Sequence, residues 1–580
     1  MESMADPLVT LAERLRPAFE KVAGRTGVDP VVRPSDRADA QANGALALAK
    51  ELGRSPRDVA NEVLAACAGL SGVCSSIEVA GPGFLNLVLD EAFLAAELAS
   101  LSNDERLGVS RAPSPRRVVI DYSAPNVAKE MHVGHLRTTV IGDALVRMFE
   151  FVGHSVIREN HIGDWGTPFG MLIEHLLDLG ETEAAEHLSL GDLDGFYKQA
   201  RAKFDASDAF KERARDRVVL LQGGDAETRR LWRLLVALST KHFNAVYSRL
   251  GVLLVDDDLM GESAYNELMP DVIGRLDRLG LLQESDGADV VYPPGYTNRD
   301  GDPLPLIVQK GKGGFNYATS DLACVIDRVE RLGADLLLYV VGAPQAQHLS
   351  MVFDVARMAG WLVPPAEAVH VSFGSVLGSD RKMLKSRSGE PLKFIELLEE
   401  AVARADAAVA EKNPDLAPAD RAEVARMIGI GAVKYADLST DRVRDYVFDW
   451  DRMLSFDGNT APYLQYAHAR ICSIFRRAGV DRSSVAGRTP RIEAEQERAL
   501  ALALLGFDSA VADTLERYSP HRLCTYLYDL STAFSAFYEH CPVLKAEGEV
   551  RESRLVLCDL VARVLNTGLG LLGIESPEQM

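Results

Sequence analysis

Residues 121–138 read DYSAPNVAKEMHVGHLRT, and the segments on either side of them have the pattern of a βαβ unit. The apolar run VVIDYSA (118–124) is typical of a buried strand. Apolar residues then recur at helical spacing from Leu136 to Met148, and SVIREN (155–160) is the next strand candidate. This order predicts an α/β fold with a doubly wound, Rossmann-like parallel sheet.

Two histidines, His132 and His135, flank Gly134 in this turn. The turn joins the carboxyl end of a strand to the start of a helix, where an open α/β sheet binds its ligand and where phosphate is favoured. Glycine allows a flat base to approach the backbone, and imidazole N–H groups can donate to an α-phosphate. A helix cap or a metal pair remains an alternative. Neither a Walker-A sequence nor a GxGxxG turn after a strand is present, so those two nucleotide-binding routes are unsupported.

A second polar loop lies about 250 residues downstream, in FGSVLGSDRKMLKSRSGEP (373–391). Its four cations, Arg381, Lys382, Lys385 and Arg387, can neutralise the β- and γ-phosphates of a nucleotide. A charged run alone is more often a solvated turn. Together with the HxGH turn on one α/β chain, however, the loop favours nucleotide chemistry.

The texture of the chain predicts four regions. Residues 1–112 have an α+β pattern, and residues 113–400 have the α/β pattern with a helical insertion at about 185–300. Strands are expected to resume in PLIVQKG, DLLLYVVGA and AVHVSFGSV. Connecting helices are expected over 401–440. Residues 441–580 predict an all-α bundle without strands.

Composition limits the class of protein. The 580 residues are 47% hydrophobic and 25% charged, which excludes a disordered or fibrous chain. No stretch of 18 or more apolar residues and no secretory signal are evident, and the seven cysteines form no CxxC pair. We therefore expect a multidomain cytoplasmic protein with no membrane partner and no structural zinc. The net charge of −21 argues against bulk nucleic-acid coating, and we expect no DNA partner.

HVGH and KMLKS in this order resemble the two signature motifs of class I aminoacyl-tRNA synthetases. The surrounding residues resemble the arginyl-tRNA synthetase family in particular, over nearly the whole chain. The stretches that carry this resemblance are DYSAPNVAKEMHVGHLRTTVIGDAL, ENHIGDWGTPFG (159–170), GFNYATSDLA (314–323), YVVGAPQAQH (339–348), VFDWDRMLSFDGNTAPYLQYAHARI (447–471) and the terminal GIESPEQM. The resemblance implies ATP-dependent ligation of L-arginine to tRNA(Arg) through an arginyl-adenylate, with Mg²⁺ as the counter-ion of ATP and with tRNA required for the first step.

A guanidinium carries five donors in a fixed plane, so a selective pocket needs carboxylates and a flat surface. Tyr317 and Asp321 lie four residues apart across a strand-to-helix turn, where ring and carboxylate can face one ligand. Asp121, at the end of the first strand, is a candidate for the second negative charge. Core packing for Tyr317 and a helix-dipole role for Asp321 are the plainer alternatives.

The resemblance assigns roles to individual positions. It implies that Tyr317, Asp321 and Gln345 bind arginine, and that Ala124, Pro125, Asn126 and His135 line the amino-acid site. It implies an ATP site made by His132, Gly134, His135, Lys382, Met383 and Lys385, with Lys129 as a further phosphate contact. His132, Gly134, His135, Lys382 and Lys385 are the catalytic candidates. Gly342 departs from the acidic residue expected in many relatives.

Residues 441–580 carry a net charge of −4, so any RNA-binding charge there is local. Arg470 and Arg477 lie seven residues apart on one helix face, and nearby aromatic side chains can stack on bases, although most should be core. The resemblance puts anticodon recognition in this bundle, with Tyr463 and Met580 as further candidates, and puts other tRNA contacts in the N-terminal module. We expect a monomer, and an insertion that frames the active site and has no editing role.

Three other functions compete with this interpretation. A small-molecule nucleotidylyltransferase shares the HxGH turn but needs neither terminal module. Another class I synthetase is a nearer alternative, against which the predicted cation pocket argues. A non-catalytic tRNA-binding paralogue should have lost HxGH or the loop lysines, and both are intact.

Overall fold

The computed structural model describes residues 6–67, 69–181, 193–311, 314–382, 384 and 392–580. At the N terminus, helices pack on a four-stranded antiparallel sheet, which confirms the predicted α+β module. The strands, in sheet order, are Val32–Pro34, Ala40–Ala42, Phe84–Leu89 and Cys74–Ala80. The helices are Pro7–Ala23, Gly44–Leu52, Pro56–Ala66 and Glu91–Asn103.

A four-stranded parallel sheet forms the centre of the molecule, as the βαβ pattern predicts. Its strands, in sheet order, are Glu367–His370, Leu336–Tyr339, Arg117–Asp121 and Ser155–Glu159. Its two central strands are nearly continuous apolar runs because helices cover both faces of the sheet. The helices around it are Leu136–Phe151, Pro168–Leu179, Tyr317–Ile326 and Ala346–Met358. The first helix follows a 3₁₀ turn at Val133–His135.

The insertion begins with helices and ends with a second sheet, so the expectation of a wholly helical segment is wrong. The helices are Leu193–Ala206, Asp208–Gln222, Ala226–Leu250 and Met269–Arg278. The antiparallel strands, in chain order, are Gln283–Ser285, Ala288–Val291, Leu306–Lys310 and Gly314–Phe315. PLIVQKG is therefore a strand of this second sheet and not of the parallel sheet. The hairpin turns at Asp286 and Gly287, whose φ angles of 51° and 73° are those of a type I′ turn.

Helices dominate the rest of the chain. They are Phe394–Lys412, Pro418–Leu438, Trp450–Met453, Ala461–Ala478, Glu495–Leu505, Phe507–Arg517, His521–His540 and Gly548–Leu571. One short strand, Tyr446–Val447, pairs in parallel with Val376–Leu377, against the expectation that this region has none. Among the described residues, no helix is both long enough and apolar enough to span a bilayer.

Candidate active site

The loop after the first strand of the parallel sheet has a strained backbone. Ser123 and Ala124 have φ angles of 73° and 47°, a region that side-chain-bearing residues seldom occupy. The amide of Ser123 donates to Thr138 Oγ1 (3.0 Å), and that of Ala124 donates to Asn160 Oδ1 (3.0 Å). Strain of this kind persists where the surroundings enforce it, which is common at ligand sites.

The long insertion helix Ala226–Leu250 supports this loop from outside the sheet. The hydroxyl oxygens of Tyr247 and Ser123 are 2.7 Å apart, and Asn160 Nδ2 donates to the same tyrosine oxygen (3.0 Å). Ser239 Oγ accepts the amide of Ala128 (2.9 Å). The insertion therefore contacts the loop that follows the first strand of the parallel sheet.

The two histidines of the HVGH turn lie side by side, with ring centroids 4.3 Å apart. Nδ1 of His132 accepts the amide of Gly134 (3.0 Å), which assigns the ring proton of neutral His132 to Nε2. Nδ1 of His135 lies 3.2 Å from the amide nitrogen of His132. A Cβ atom on Gly134 would lie 2.7 Å from the His132 ring, so glycine allows that ring to fold over its own turn.

Burial controls the charge of both rings. It lowers the pKa of His132, and burial together with the neighbouring His132 lowers the pKa of His135 to about 4. Both imidazoles are therefore neutral near pH 7. They can donate hydrogen bonds to an oxyanion from Nε2 without a permanent positive charge.

Tyr317 and Asp321 lie in the first turns of the helix Tyr317–Ile326, which Asn316 caps. Tyr317 is 65% exposed, so the core-packing alternative does not apply to it. Nε2 of His348 lies 2.5 Å from Oδ2 of Asp321, and the rings of His348 and Tyr317 meet edge to face with centroids 4.8 Å apart. The predicted ring and carboxylate thus share one site, joined by a histidine from the next helix.

A cavity of about 470 Å³ opens beside Tyr317, and its charged lining residues are the carboxylate Glu262 and the cation Arg229. Glu262 lines this cavity, and burial raises the pKa of its carboxyl group, with further contributions from Asp164 and Asp321. Burial also raises the pKa of Asp164. Asp164 and Asp321 therefore lie close enough to Glu262 to act on it electrostatically, and a group of neighbouring carboxylates favours a cationic ligand. Other residues that line the cavity are Trp165, Thr167, Met269 and Phe315.

Asp121 does not offer a free carboxylate to this site, which corrects the expectation that it supplies the second negative charge. Its side chain is buried, and Oδ2 lies 2.8 Å from Nη2 of Arg328. Nε of the same arginine lies 2.7 Å from Oε2 of Glu159, at the end of the adjacent strand. Asp121 therefore belongs to a buried ion-pair cluster beneath the site.

The other predicted amino-acid contacts differ in accessibility. Ala124, Asn126 and Gln345 are exposed, whereas Pro125 is buried. Asn126 forms a parallel bridge with Gly163, and a Cβ atom on Gly163 would lie 2.3 Å from the Asn126 side-chain oxygen. Glycine at 163 therefore lets Asn126 lie across the neighbouring loop.

The predicted phosphate contacts are described only in part. Lys129 is exposed, and its Nζ lies 4.7 Å from the centre of the Tyr197 ring. Lys382 is exposed at the end of a tight turn, in which its carbonyl accepts the amide of Gly378 (2.8 Å). Met383 and Lys385 lie outside the described residues.

In the C-terminal bundle, the candidate RNA contacts have different surroundings. Arg477 is exposed, whereas the Arg470 guanidinium lies over the rings of Tyr466 (4.7 Å) and Tyr538 (5.4 Å). Tyr463 is half-buried, with its hydroxyl 3.2 Å from Ser535 Oγ. Phe534 and Phe537 are fully buried core residues, as expected for most aromatics of a bundle.

The C-terminal segment from Gly573 onward is bound through its backbone carbonyls by side chains of two helices and by Asn413, which follows the helix Phe394–Lys412. Each of these contacts joins one side-chain donor to one carbonyl of the segment. They are Lys434 to Gly573 (2.6 Å), Gln465 to Glu575 (2.7 Å), His468 to Pro577 (3.0 Å), Arg476 to Glu578 (3.1 Å) and Asn413 to Met580 (3.2 Å). The position of Met580 is therefore fixed relative to the bundle.

Sequence reasoning missed several residues of the site. His348 lies within a stretch that carries the family resemblance, so the sequence could have singled it out as a candidate site residue. Glu262, Tyr247 and Ser239 come from the insertion, where no motif connects them to the sheet. Only the folded chain shows that they meet the site.

Three family models match the chain. One described as "tRNA synthetases class I (R), catalytic domain" matches residues 97–450, "Arginyl tRNA synthetase N terminal domain" matches 10–89, and "DALR anticodon binding domain" matches 464–580. An arginine–tRNA ligase of Thermobifida fusca (strain YX) is 55% identical over 580 residues, covering 100% of both chains.

Solved structures are similar over almost the same span. The arginyl-tRNA synthetase of Plasmodium falciparum matches with a TM-score of 0.85 at 28% identity, covering 99% of each chain. That of Thermus thermophilus matches with a TM-score of 0.81 at 27% identity, covering 99% of this chain and 100% of the other.

Proposed function

The chain belongs to the arginyl-tRNA synthetase family of class I aminoacyl-tRNA synthetases, and on that premise we propose how its own residues carry out the reaction. The enzyme ligates L-arginine to its tRNA with ATP, through an arginyl-adenylate. The arginine carboxylate attacks the α-phosphate and pyrophosphate leaves. The arginyl group then passes to the terminal adenosine of tRNA, on the 2′-OH as the class implies.

Asp321 is the main partner of the substrate guanidinium. The observation that supports this is the grouping of Asp321, His348 and Tyr317 beside a cavity that also holds Glu262. Asp321 and Glu262 accept the N–H fork, and the Tyr317 ring packs on its plane. Lysine and ornithine lack the fork and leave these carboxylates poorly paired, which discriminates on the order of 10⁴-fold without editing.

The α-amino and carboxylate groups of arginine meet the strained loop. Ala124 and Asn126 are exposed there, and Gln345 approaches from the next loop of the sheet. Pro125 fixes the backbone of the loop, and His135 lies at its far end. This arrangement leaves the arginine carboxylate directed towards the HVGH turn, where the α-phosphate would lie.

His132 and His135 stabilise the α-phosphate as it becomes pentacoordinate, by donating from Nε2. Lys382, Met383 and Lys385 belong to the ATP site, with the two lysines on the β- and γ-phosphates and Lys129 as a further contact. Catalysis is then mainly positioning and charge stabilisation, with little covalent work for side chains.

Mg²⁺ enters with ATP. The described side chains that we assign to the ATP phosphates are the imidazoles of the HVGH turn and nearby lysines, which suit phosphate oxygens. A Mg²⁺ ion held by the protein would need carboxylate or carbonyl oxygens instead. The ion therefore supplies charge neutralisation on the ATP phosphates. We propose no structural zinc, since the cysteines form no CxxC pair.

The bundle binds the anticodon region of tRNA(Arg) through Arg470, Arg477, Tyr463 and the Met580 segment. The N-terminal module contacts the outer part of the same tRNA. The enzyme acts as a cytoplasmic monomer, and a sedimentation mass near 63.2 kDa would support that state.

The decisive experiment is ATP–pyrophosphate exchange with each of the twenty amino acids, with and without total tRNA. Exchange with arginine alone, appearing only after tRNA is added, supports the substrate, the chemistry and the tRNA dependence together. Exchange with another amino acid would contradict the Asp321 and Glu262 pocket and indicate a different class I specificity. Absence of exchange, with tRNA binding retained, would indicate a non-catalytic paralogue.

A further inference from the structure

The HVGH turn is tied to a distant segment of the chain. His132 and Lys393 form an antiparallel bridge between the turn and the residues that enter the helix Phe394–Lys412. The amide of Val133 donates to the carbonyl of Leu392 (3.0 Å), and the amide of Phe394 donates to the carbonyl of Met131 (2.9 Å). The backbone of His132 is therefore held on both sides by residues 392–394.

An ion pair reinforces this bridge. Nζ of Lys393 lies 2.9 Å from both carboxylate oxygens of Glu130, whose side chain is only 3% exposed. The Lys393 side chain is 38% exposed and reaches this carboxylate from the surface. A buried carboxylate without its cation costs free energy, so the ion pair holds the chain in place at Glu130, two residues before His132.

The insertion holds the same residues from the other side. Oδ1 of Asp194, in the first turn of the helix Leu193–Ala206, accepts the amide of Glu130 (3.1 Å). Tyr197, one turn later, lies under the ammonium group of Lys129. Glu130 is thus the point at which the turn, the insertion and the segment at 392–394 meet.

We propose that Glu130 and Lys393 are a positioning pair that fixes the His132 ring for ATP, with Asp194 of the insertion holding Glu130 in register. Neither residue of the pair touches the reacting atoms. They act through the backbone of Met131–Val133, which sets the direction of the His132 imidazole. The inference rests on the proposed role of His132 at the α-phosphate.

The test varies ATP in the aminoacylation assay at saturating arginine and tRNA, and then varies arginine at saturating ATP. Glu130→Gln and Lys393→Gln should each lower kcat/KM for ATP about tenfold, because a small misplacement of a catalytic group is expensive. KM for arginine should change less than about twofold. Lys393→Arg retains the cation and should restore most of the loss.

The double variant shows whether the two residues act together. If they form one positioning pair, the double variant Glu130→Gln with Lys393→Gln should lower kcat/KM for ATP no more than either single change does. The first change already breaks the ion pair, so the second has no further interaction to remove. Arg404→Gln is the matched control. It breaks an exposed ion pair with Glu400 on the same helix and a contact with the Trp450 ring, and it should leave both ATP and arginine kinetics unchanged.

Several outcomes would overturn the proposal. If Lys393 binds phosphate itself, Glu130→Gln will release it and leave or raise kcat/KM for ATP. If the pair is merely structural, kcat/KM for ATP and kcat/KM for arginine will fall together with the melting temperature. Lys393→Arg will then restore all of these quantities to the same extent. Unchanged kinetics in both single variants would also contradict it. Failure of the wild-type enzyme to charge tRNA with arginine would instead contradict the proposed function.

Discussion

At the residue scale, the contact between Asp321 and His348 determines how the pocket treats a cation. Oδ2 is occupied by the histidine nitrogen, and this leaves Oδ1 for a ligand. Asp321→Asn keeps the size of the side chain but removes the charge that a guanidinium needs. We expect kcat/KM for arginine to fall about 100-fold, since removing one member of a hydrogen-bonded charge pair costs several kcal/mol.

Steady-state aminoacylation with arginine varied measures this effect. Asp277→Asn is the control, because Asp277 is an exposed carboxylate on the helix Met269–Arg278. It should change the arginine kinetics little. A change of less than threefold in Asp321→Asn would contradict the assignment of Asp321 as the main guanidinium partner.

His135 makes stability depend on pH with a definite sign. Its pKa falls from an ordinary value of 6.5 to about 4 on folding, so between these pH values the unfolded chain binds a proton that the folded chain does not. Stability is therefore retained above about pH 6.5 and lost as the pH falls towards 4. His135→Gln lacks this loss.

Melting temperatures of the wild type and His135→Gln, measured at pH 7.5 and at pH 5, test this dependence. The melting temperature of the wild type should fall more between pH 7.5 and pH 5 than that of His135→Gln. Groups that do not interact with His135 contribute equally in both proteins and cancel from the comparison, whereas the adjacent His132 does not cancel completely. The same difference in Tm at both pH values would show that burial does not depress the His135 pKa.

At the element scale, the helix Leu136–Phe151 lies in close contact with the strand that leads to the site. A Cβ atom on Gly142 would lie 2.3 Å from Cβ and Cγ of Tyr122, whose side chain is completely buried. Gly142→Ala must push the helix off the sheet and should lower the free energy of unfolding by about 1–3 kcal/mol.

Denaturant unfolding measures this cost, and Gly570→Ala provides the matched control. A Cβ atom on Gly570 meets nothing within 4 Å, although the residue also lies within a helix. This substitution should stabilise the protein by less than about 1 kcal/mol, because Gly570 lies in the last turn of its helix, where helix propensity counts for less than in the interior. If both substitutions have the same effect, the contact between Gly142 and Tyr122 is not as close as described.

An element could be predicted from the sequence where its pattern is local, and not where it depends on contacts between residues far apart in the chain. The βαβ unit at 118–160 follows from local periodicity, and it brings the HVGH turn to the sheet edge. The Asp286–Gly287 hairpin also had a local signal, the Asp-Gly dipeptide, but the helical patterning of the preceding residues led to the prediction of a helical segment throughout. Asp121 differs in kind, because its partner Arg328 lies 207 residues away. Neither pattern nor spacing shows that an ion pair will form over such a distance.

At the scale of the whole molecule, the carbonyl contacts of the C-terminal segment fix the proposed anticodon surface. Truncation after Pro577 removes the contacts of Arg476 and Asn413 and also removes Met580, which packs beside the cluster around Ile428. We expect KM for tRNA to rise about tenfold, a loss of the size of one or two hydrogen bonds. KM for arginine should not change.

Aminoacylation with tRNA varied measures this loss. Gln579→Ala is the control, because the Gln579 side chain is exposed and the substitution leaves the backbone carbonyls of the segment in place. It should leave KM for tRNA near the wild-type value. An equal rise in KM for arginine after truncation would mean that the segment supports the general fold and not the tRNA surface.

The buried cluster of Asp121, Arg328 and Glu159 has a consequence for the history of this chain. Arg328 balances two carboxylates in an interior where any one of the three, left alone, is strongly unfavourable. A lineage that loses the arginine passes through an ancestor with two uncompensated charges. Substitutions at these positions should therefore appear together or not at all, and alignments of descendants should show them covarying although they are far apart in the gene.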